Sequence, residues 1–389
     1  MIIKCKNQSV RLQNGVILEH SDTNLADSSE EILEFENGIL APQFIDLNVF
    51  PKNKSLSRNS ILSLEKKAKG GGVGVIALNS ALNPAIDNEM AIEFIKNITS
   101  EVAMLPLIAS NVSDDGNSEG KICDIAILNS LGGVGINLDS AKSANTIDKV
   151  AKYAKMLQIP LFINANDNLG GAINYGQISA ELGIPARNPL SEIKEVAKML
   201  EVAIFYNIKV VFSAISEIRS IALINEAKKH NPNIFIEVSL HHLLLNDEAC
   251  KNYNTSAKIN PPLKDRKTQE SLLESLQNNE IDVLTSLQCA VFNSKKDLPF
   301  GNAAFGIDCI SHYFSLAYSH LVEKNIISLE RLYDLCAKNP ARILNLNCGV
   351  IEKGKEARLM VLDLDSSFVL NDAFLPYSDT LKGKVLRFL

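Results

Sequence analysis

Eight short apolar runs along the middle of the chain constrain its fold more than any other feature. Each run is followed by a segment with the apolar spacing of a helix, and strands that alternate with helices form parallel sheets. Eight such strands close a barrel, whereas the alternative, an open doubly wound sheet, is marked by a glycine-rich dinucleotide motif that this chain lacks. The sequence therefore predicts an α/β protein with a TIM (β/α)8 barrel. The runs are QFIDLNV (43–49), VGVIALN (73–79), VAMLPLIA (102–109), VGINL (134–138), IPLFIN (159–164), IKVVFSA (208–214), NIFIEVS (233–239) and IDVLTS (281–286).

Strand-like patterns flank this barrel at both ends of the chain. The first 41 residues contain short strands broken by two Asn-Gly dipeptides, which suit the positive φ angles of hairpin turns. After the helical segment NPARILNL at 339–346, glycine-punctuated strands return. We predict that residues 1–41 and 347–389 form one small composite β-domain beside a barrel of residues 42–346.

Composition and charge exclude several classes of protein. With 46% hydrophobic and 22% charged residues, the chain has the balance of a globular protein and not of a disordered or fibrous one. A net charge of -6 without a block of Lys or Arg argues against nucleic acid or an anionic membrane as a partner. No apolar stretch reaches the ~18 residues of a membrane span. The seven scattered cysteines form no CxxC pair, and no secretory signal opens the chain, so we expect a cytoplasmic protein.

The chemistry of such a barrel lies at the carboxyl ends of its strands and in the loops that follow. At the end of the first strand, alternation places Asn48 and Phe50 on one face with the spacing of a metal-binding pair. Asn is a poor ligand, however, and Phe cannot bind a metal at all. The other strand ends carry polar residues but no imidazole: Asn79, Asp139, Asn164, Ser213 and Ser286. The sequence predicts no metal site and no evident strong base at these positions.

Only two of the six histidines are placed to face the mouth of the barrel. They are His241 and His242, directly after the seventh strand. With Asp247 or Glu248 they form the one cluster in the sequence that could hold a metal in an unusual way. The alternative, which we favour, is that the pair caps and packs the loop after this strand.

From Pro42 to its end, the chain resembles the dihydroorotases of the amidohydrolase superfamily, of the type that associates with aspartate carbamoyltransferase. The matching segments keep the family's order along the chain. FIDLNVF resembles the first-strand motif with its two histidines replaced, and EVSLHHLLLNDE resembles the family's EVTPHHLLLTDE. Further similar segments are KGGGVGVIALNS, KINPPLKDRKTQ, NPARILNL and GVIEKGKEARLMVLDLD.

The resemblance also identifies where this chain departs from the family. Asn48 and Phe50 stand at the two first-strand zinc ligands, and Asn164 matches the histidine of the fifth strand. Ser286 lies in the segment that matches the family's TDHAPH, and the arginine after the first motif is replaced near Lys52. The resemblance therefore implies that zinc is absent and that no catalytic residue is left. Without zinc, the attacking water keeps a pKa of about 15.7 and not about 7, a difference of roughly 12 kcal/mol.

Two readings of function remain open at this point. The resemblance implies a catalytically inactive dihydroorotase-like protein of pyrimidine biosynthesis, a homo-oligomer or hetero-oligomer that serves as a structural or regulatory partner of aspartate carbamoyltransferase. The alternative is an active or repurposed cyclic-amide hydrolase, or a metal-free binder of a pyrimidine-like ligand. Its weak candidate contacts are Lys52, Asn79, Asp139 and Asn260. We favour the simpler interpretation that these polar side chains satisfy each other or bound water.

Overall fold

The computed structural model describes residues 1–6, 8–22, 25, 31–112, 120–167 and 169–389. Its centre is an eight-stranded parallel sheet whose strands are hydrogen-bonded in chain order. This arrangement confirms the predicted barrel. The barrel strands are β6 (Phe44–Val49), β7 (Val73–Leu78), β8 (Ala103–Ala109), β9 (Gly135–Asp139), β10 (Leu161–Asn164), β13 (Val210–Phe212), β14 (Ile234–Ser239) and β15 (Val283–Thr285). A separate two-stranded ladder, β11 (Ile173–Asn174) with β12 (Ala186–Arg187), lies in the connection after β10.

The first and last barrel strands meet through one buried carboxyl group. Asp46 of β6 is fully buried and accepts hydrogen bonds from the Thr285 hydroxyl and, at 3.1 Å, from the backbone N–H of Ser286. Beyond it, the backbone N–H of Phe50 donates to the carbonyl of Gln288 at 2.8 Å. Asp46 therefore links the first strand of the sheet to the last. We call this contact of Asp46 with Thr285 and Ser286 the seam.

Helices between the strands cover the outside of the barrel. They bury one face each, as in α4, where Ile147, Val150, Ala151 and Ala154 recur at helical spacing and the Ser143 side chain caps the first turn. No helix in the described part of the chain is long and apolar enough to cross a membrane. The helices are α1 (Arg58–Gly70), α2 (Glu89–Lys96), α3 (Ile125–Leu131), α4 (Ala144–Leu157), α5 (Gln177–Leu182), α6 (Leu190–Tyr206), α7 (Ile218–Ala227), α8 (Leu240–Leu244), α9 (Arg266–Gln277), α10 (Asn293–Lys296), α11 (Tyr313–Ala317), α12 (Leu329–Tyr333) and α13 (Asn339–Ile343).

Both ends of the chain build the predicted small β-layer. One sheet contains β1 (Ile2–Cys5), β2 (Gln8–Gln13), β3 (Val16–Ser21) and β4 (Ile32–Phe35). A second sheet joins β5 (Ile39–Pro42) to the long hairpin of β16 (Leu359–Asn371) and β17 (Ser378–Phe388). Ile3, Val10 and Ile17 from the start of the chain share a buried cluster with Leu359 and Val361 from its end.

A glycine makes the close approach between α1 and the last part of the barrel possible. Gly71, directly after α1, lies so near the segment before α11 that an added Cβ would stand 1.8 Å from the carbonyl oxygen of Ile310. No side chain larger than hydrogen fits there, so the helix can enter β7 tightly packed against this segment.

Candidate functional site

A cavity of about 280 Å³ opens at the carboxyl ends of the barrel strands. Its wall contains one cationic side chain, Lys54, one anionic side chain, Asp139, and the aromatic rings of Phe50 and Phe305. The remaining polar surface is dominated by carboxamides. The asparagines in the wall are Asn48, Asn79, Asn137, Asn164 and Asn260.

Seven of the nine strand-end and candidate contact residues named from the sequence line this cavity. They are Asn48, Phe50, Asn79, Asp139, Asn164, Ser213 and Asn260. The structure therefore brings together side chains from strands that are far apart in the sequence, as expected for residues at the carboxyl ends of barrel strands.

The other two residues, Lys52 and Ser286, lie outside the cavity wall. The Lys52 ammonium stands 4.9 Å from the centre of the Phe292 ring. Ser286 is fully buried at the seam, where its hydroxyl accepts from the backbone N–H of Gln288 at 3.1 Å. Lys54 lines the cavity in place of Lys52, with its ammonium 4.6 Å from the centre of the Phe50 ring. No sequence pattern indicates this exchange, because the chain leaves strand alternation at Pro51 and turns.

A buried carboxyl group that the sequence did not single out lies beneath the cavity. Glu237 of β14 is fully buried, and its Oε1 accepts from Nδ2 of Asn48 at 3.0 Å and from the backbone N–H of Ala214 at 3.2 Å. Burial raises the pKa of Glu237 to about 8; the Asn48 hydrogen bond opposes this shift and the charge of Asp46 adds to it. Glu237 is therefore mostly protonated at neutral pH. An acidic residue within the apolar run IFIEVS was the available signal.

The carboxamides of Asn48 and Asn79 already have hydrogen-bond partners within the protein. Nδ2 of Asn79 donates to Oδ1 of Asn48 at 3.4 Å, and Oδ1 of Asn79 accepts from the backbone N–H of Ala81 at 3.0 Å. The Asn48 side chain therefore bonds both to the buried Glu237 and to Asn79 in the cavity wall. On the far side of the cavity, Oδ1 of Asn260 accepts from the guanidinium of Arg187.

Asp46 is the second carboxyl group inside the barrel. Burial raises its pKa, and hydrogen bonds from Ser286, Thr285 and the backbone N–H of Asn48 oppose this shift. Both carboxylate oxygens face the seam, where the neighbouring strand supplies their donors. Asp46 is therefore engaged in closing the barrel and does not line the cavity.

The histidine pair packs in the protein interior and not at the cavity. Nδ1 of His241 lies 2.6 Å from the hydroxyl of Tyr377, and its Nε2 lies 3.4 Å from Sγ of Cys309. Nδ1 of His242 lies 2.7 Å from the hydroxyl of Ser239. Burial lowers the pKa of both imidazoles to about 3, so both are neutral at pH 7.

The cluster of these histidines with Asp247 or Glu248 does not form. Asp247 accepts from Asn174 at 3.3 Å, and Glu248 pairs with Lys251 at 2.9 Å. The histidine contacts agree with the interpretation that the pair packs the loop after β14.

The residues present at the barrel mouth do not fit the zinc that the resemblance implies for the family. Zinc in proteins is held by thiolate, imidazole and carboxylate groups, three or four at a time. Among its described residues the cavity wall offers one carboxylate, Asp139, whose Oδ1 accepts from the backbone N–H of Ala141 at 2.9 Å, and one thiol, Cys289, whose pKa is raised by burial. Within the described ranges, no group of three or more His, Cys, Asp or Glu side chains is placed to hold a metal ion.

Comparison with known proteins adds independent findings. The sequence model of the amidohydrolase family matches residues 132–385. A "Probable dihydroorotase-like protein" of Helicobacter pylori strain J99 is 30% identical over 385 residues, which cover 99% of this chain and 92% of that protein. A dihydroorotase of Thermoanaerobacter sp. strain X514 is 27% identical over 361 residues, with 91% and 84% covered. The solved structure of the L-hydantoinase (dihydropyrimidinase) of Arthrobacter aurescens superimposes with a TM-score of 0.84 at 16% identity, covering 100% of this chain and 94% of that one.

Proposed function

The chain belongs to the amidohydrolase family, and we propose that it is a dihydroorotase-like member that catalyses neither the opening nor the closing of a cyclic amide. We propose further that it acts as a structural or regulatory partner of aspartate carbamoyltransferase in pyrimidine biosynthesis. One observation carries the first part: the polar lining of the barrel mouth is mainly carboxamides, with a single carboxylate, Asp139, and a single thiol, Cys289, among its described residues, where a hydrolase needs several metal ligands and a base.

Opening a cyclic amide requires a nucleophilic water, and the residues at this mouth supply no means of activating one. Asp139 is the single carboxylate among the lining residues that the structure describes. Glu237 is mostly protonated at neutral pH and is covered by Asn48, so it neither faces the cavity nor accepts a proton readily. A water without a metal keeps a pKa near 15.7, and roughly 12 kcal/mol of activation would have to come from elsewhere.

The preserved scaffold supports a role on the outer surface. The seam at Asp46, the composite β-layer and the buried cores of barrel and termini are all intact. Maintaining a barrel of this size without a reactive centre is most simply explained by a binding function. The choice of partner rests on the resemblance of the sequence to the dihydroorotases that associate with aspartate carbamoyltransferase.

Co-expression with the aspartate carbamoyltransferase of the same organism tests this role. We expect the two chains to elute together in size-exclusion chromatography, at a mass above that of either protein alone, with a change in the activity or thermal stability of the carbamoyltransferase. The variant Asn164→Ala is the matched control. It alters only the cavity, so it should co-elute as well as the parent protein. Separate elution together with unchanged carbamoyltransferase activity would rule out the partnership.

A further inference from the structure

Three polar side chains on neighbouring strands face the cavity without a hydrogen-bond partner among the described residues. Asn137 lies on β9, Asn164 at the end of β10, and Ser213 directly after β13. The strands are adjacent, since Asn164 pairs with Asp139 and the backbone N–H of Ser213 donates to the carbonyl of Ile163 at 2.9 Å. None of the three side chains makes a hydrogen bond to another residue in the described part of the chain. These three side chains form the open polar wall.

The other three asparagines of the cavity wall do have hydrogen-bond partners within the protein. Asn48 and Asn79 are bonded to each other and to the groups around them, and Asn260 holds Arg187. The interpretation that the polar residues satisfy each other therefore fits these three asparagines but not the open polar wall. Asn164 is exposed and Asn137 and Ser213 are half-buried, so water reaches these groups, and a ligand that displaces this water has to replace its hydrogen bonds.

The chemistry of the open polar wall defines the ligand it suits. Carboxamides and hydroxyls are uncharged, and each presents both a donor and an acceptor. They come from three strands, and adjacent strands lie about 4.8 Å apart, so they contact separate points around the edge of a ligand. Hydroxyl groups spread around a small ring meet this requirement, because each hydroxyl can donate or accept.

The rest of the cavity fits the same ligand. The rings of Phe50 and Phe305 offer flat apolar surface for the C–H face of such a ring. The charged side chains in the wall are Lys54 and Asp139, one of each sign, so the cavity has no net attraction for an anion. Its volume of about 280 Å³ is just below the ~300 Å³ at which sites for drug-sized ligands begin.

We propose that the mouth of the barrel is a metal-free binding site for a small uncharged polyhydroxylated molecule of monosaccharide size, held by the open polar wall. The site does not depend on the carbamoyltransferase partnership. The isolated chain should bind the ligand without the carbamoyltransferase. The partnership is tested separately, by co-elution of the two proteins.

Binding to the full chain tests the proposal directly. The probes are D-ribose, D-glucose and myo-inositol as neutral polyols, with dihydrouracil as a neutral cyclic ureide and dihydroorotate as an anionic one. Thermal unfolding and saturation-transfer NMR are the readouts, since a ligand that binds the folded state raises its Tm. We expect at least one polyol to raise the Tm and to show saturation transfer, and both ureides to leave the protein unchanged.

Two variants locate the site. Asn137→Ala and Asn164→Ala remove open polar groups that make no protein hydrogen bond, so each should retain the Tm of the unliganded parent. Each should weaken polyol binding by up to about tenfold, the effect of one lost hydrogen bond. Asn371→Ala, at the exposed end of β16, is the control and should bind like the parent. The proposal is overturned if no polyol binds, if only a ureide binds, or if both cavity variants bind the polyol as tightly as the parent.

Discussion

Replacing Asp46 by alanine is expected to lower the free energy of unfolding by roughly 2–6 kcal/mol, since two buried donors lose their acceptor at about 1–3 kcal/mol each. The variant Asp46→Ala takes away the acceptor for the hydroxyl of Thr285 and the backbone N–H of Ser286, and both donors stay buried. It also opens the seam between β6 and β15, where the barrel has to close. Urea unfolding followed by circular dichroism measures the change.

Two further variants make the Asp46 result interpretable. Asp46→Asn retains the shape and one acceptor oxygen, so it should be less destabilising than Asp46→Ala. Asp365→Ala removes an exposed carboxylate from β16 and should change the unfolding free energy by no more than about 0.5 kcal/mol. If Asp46→Ala unfolds at the same urea concentration as Asp365→Ala, Asp46 does not hold the seam.

The variant Glu237→Gln is expected to become progressively more stable than the parent as the pH rises. The folded-state pKa of Glu237 is raised to about 8 from a reference value of 4.5. When the pKa of a carboxyl group is higher in the folded state, its contribution to stability is complete at pH values below the unfolded-state pKa. The contribution is lost as the pH rises to the folded-state pKa. Glutamine retains the oxygen that accepts from Asn48 but does not titrate.

The measurement is the difference in unfolding free energy between Glu237→Gln and the parent, taken from pH 5 to pH 8. The difference should grow by up to about 1.4 kcal/mol per pH unit, or about 3.5 kcal/mol over the range, since the slope flattens near both pKa values. Groups common to both proteins cancel. Glu270→Gln removes an exposed carboxylate on α9 and controls for loss of one surface charge. A difference that stays constant across this range would show that Glu237 is already ionised at pH 5 in the fold.

The fold was predictable from the sequence because buried parallel strands read as nearly continuous apolar runs. The run at 73–79 became β7, Val73–Leu78, and the run at 159–164 became β10, Leu161–Asn164. The ladder of β11 and β12 was not predicted, since each strand is two residues long and leaves no periodic signal.

The site was predictable only as far as strand geometry extends. Alternation placed Asn48 and Phe50 on one face, and both line the cavity. Lys52 lies beyond the strand in a turn where Asn53 and Lys54 have φ angles of 55° and 56°, and such left-handed residues follow no alternation. Glu237 was not singled out because both faces of its strand are buried, so the sequence pattern does not show which side chains point inward.

The zinc content of the purified chain, measured together with its activity, tests the central claim most directly. Protein from cells grown with added zinc is passed through gel filtration, analysed for metal, and assayed for cyclisation of carbamoyl aspartate and for opening of dihydroorotate. We predict far less than one zinc per chain and no turnover above the buffer. One or more tightly held zinc ions per chain, with turnover that a chelator abolishes and zinc restores, would contradict the account.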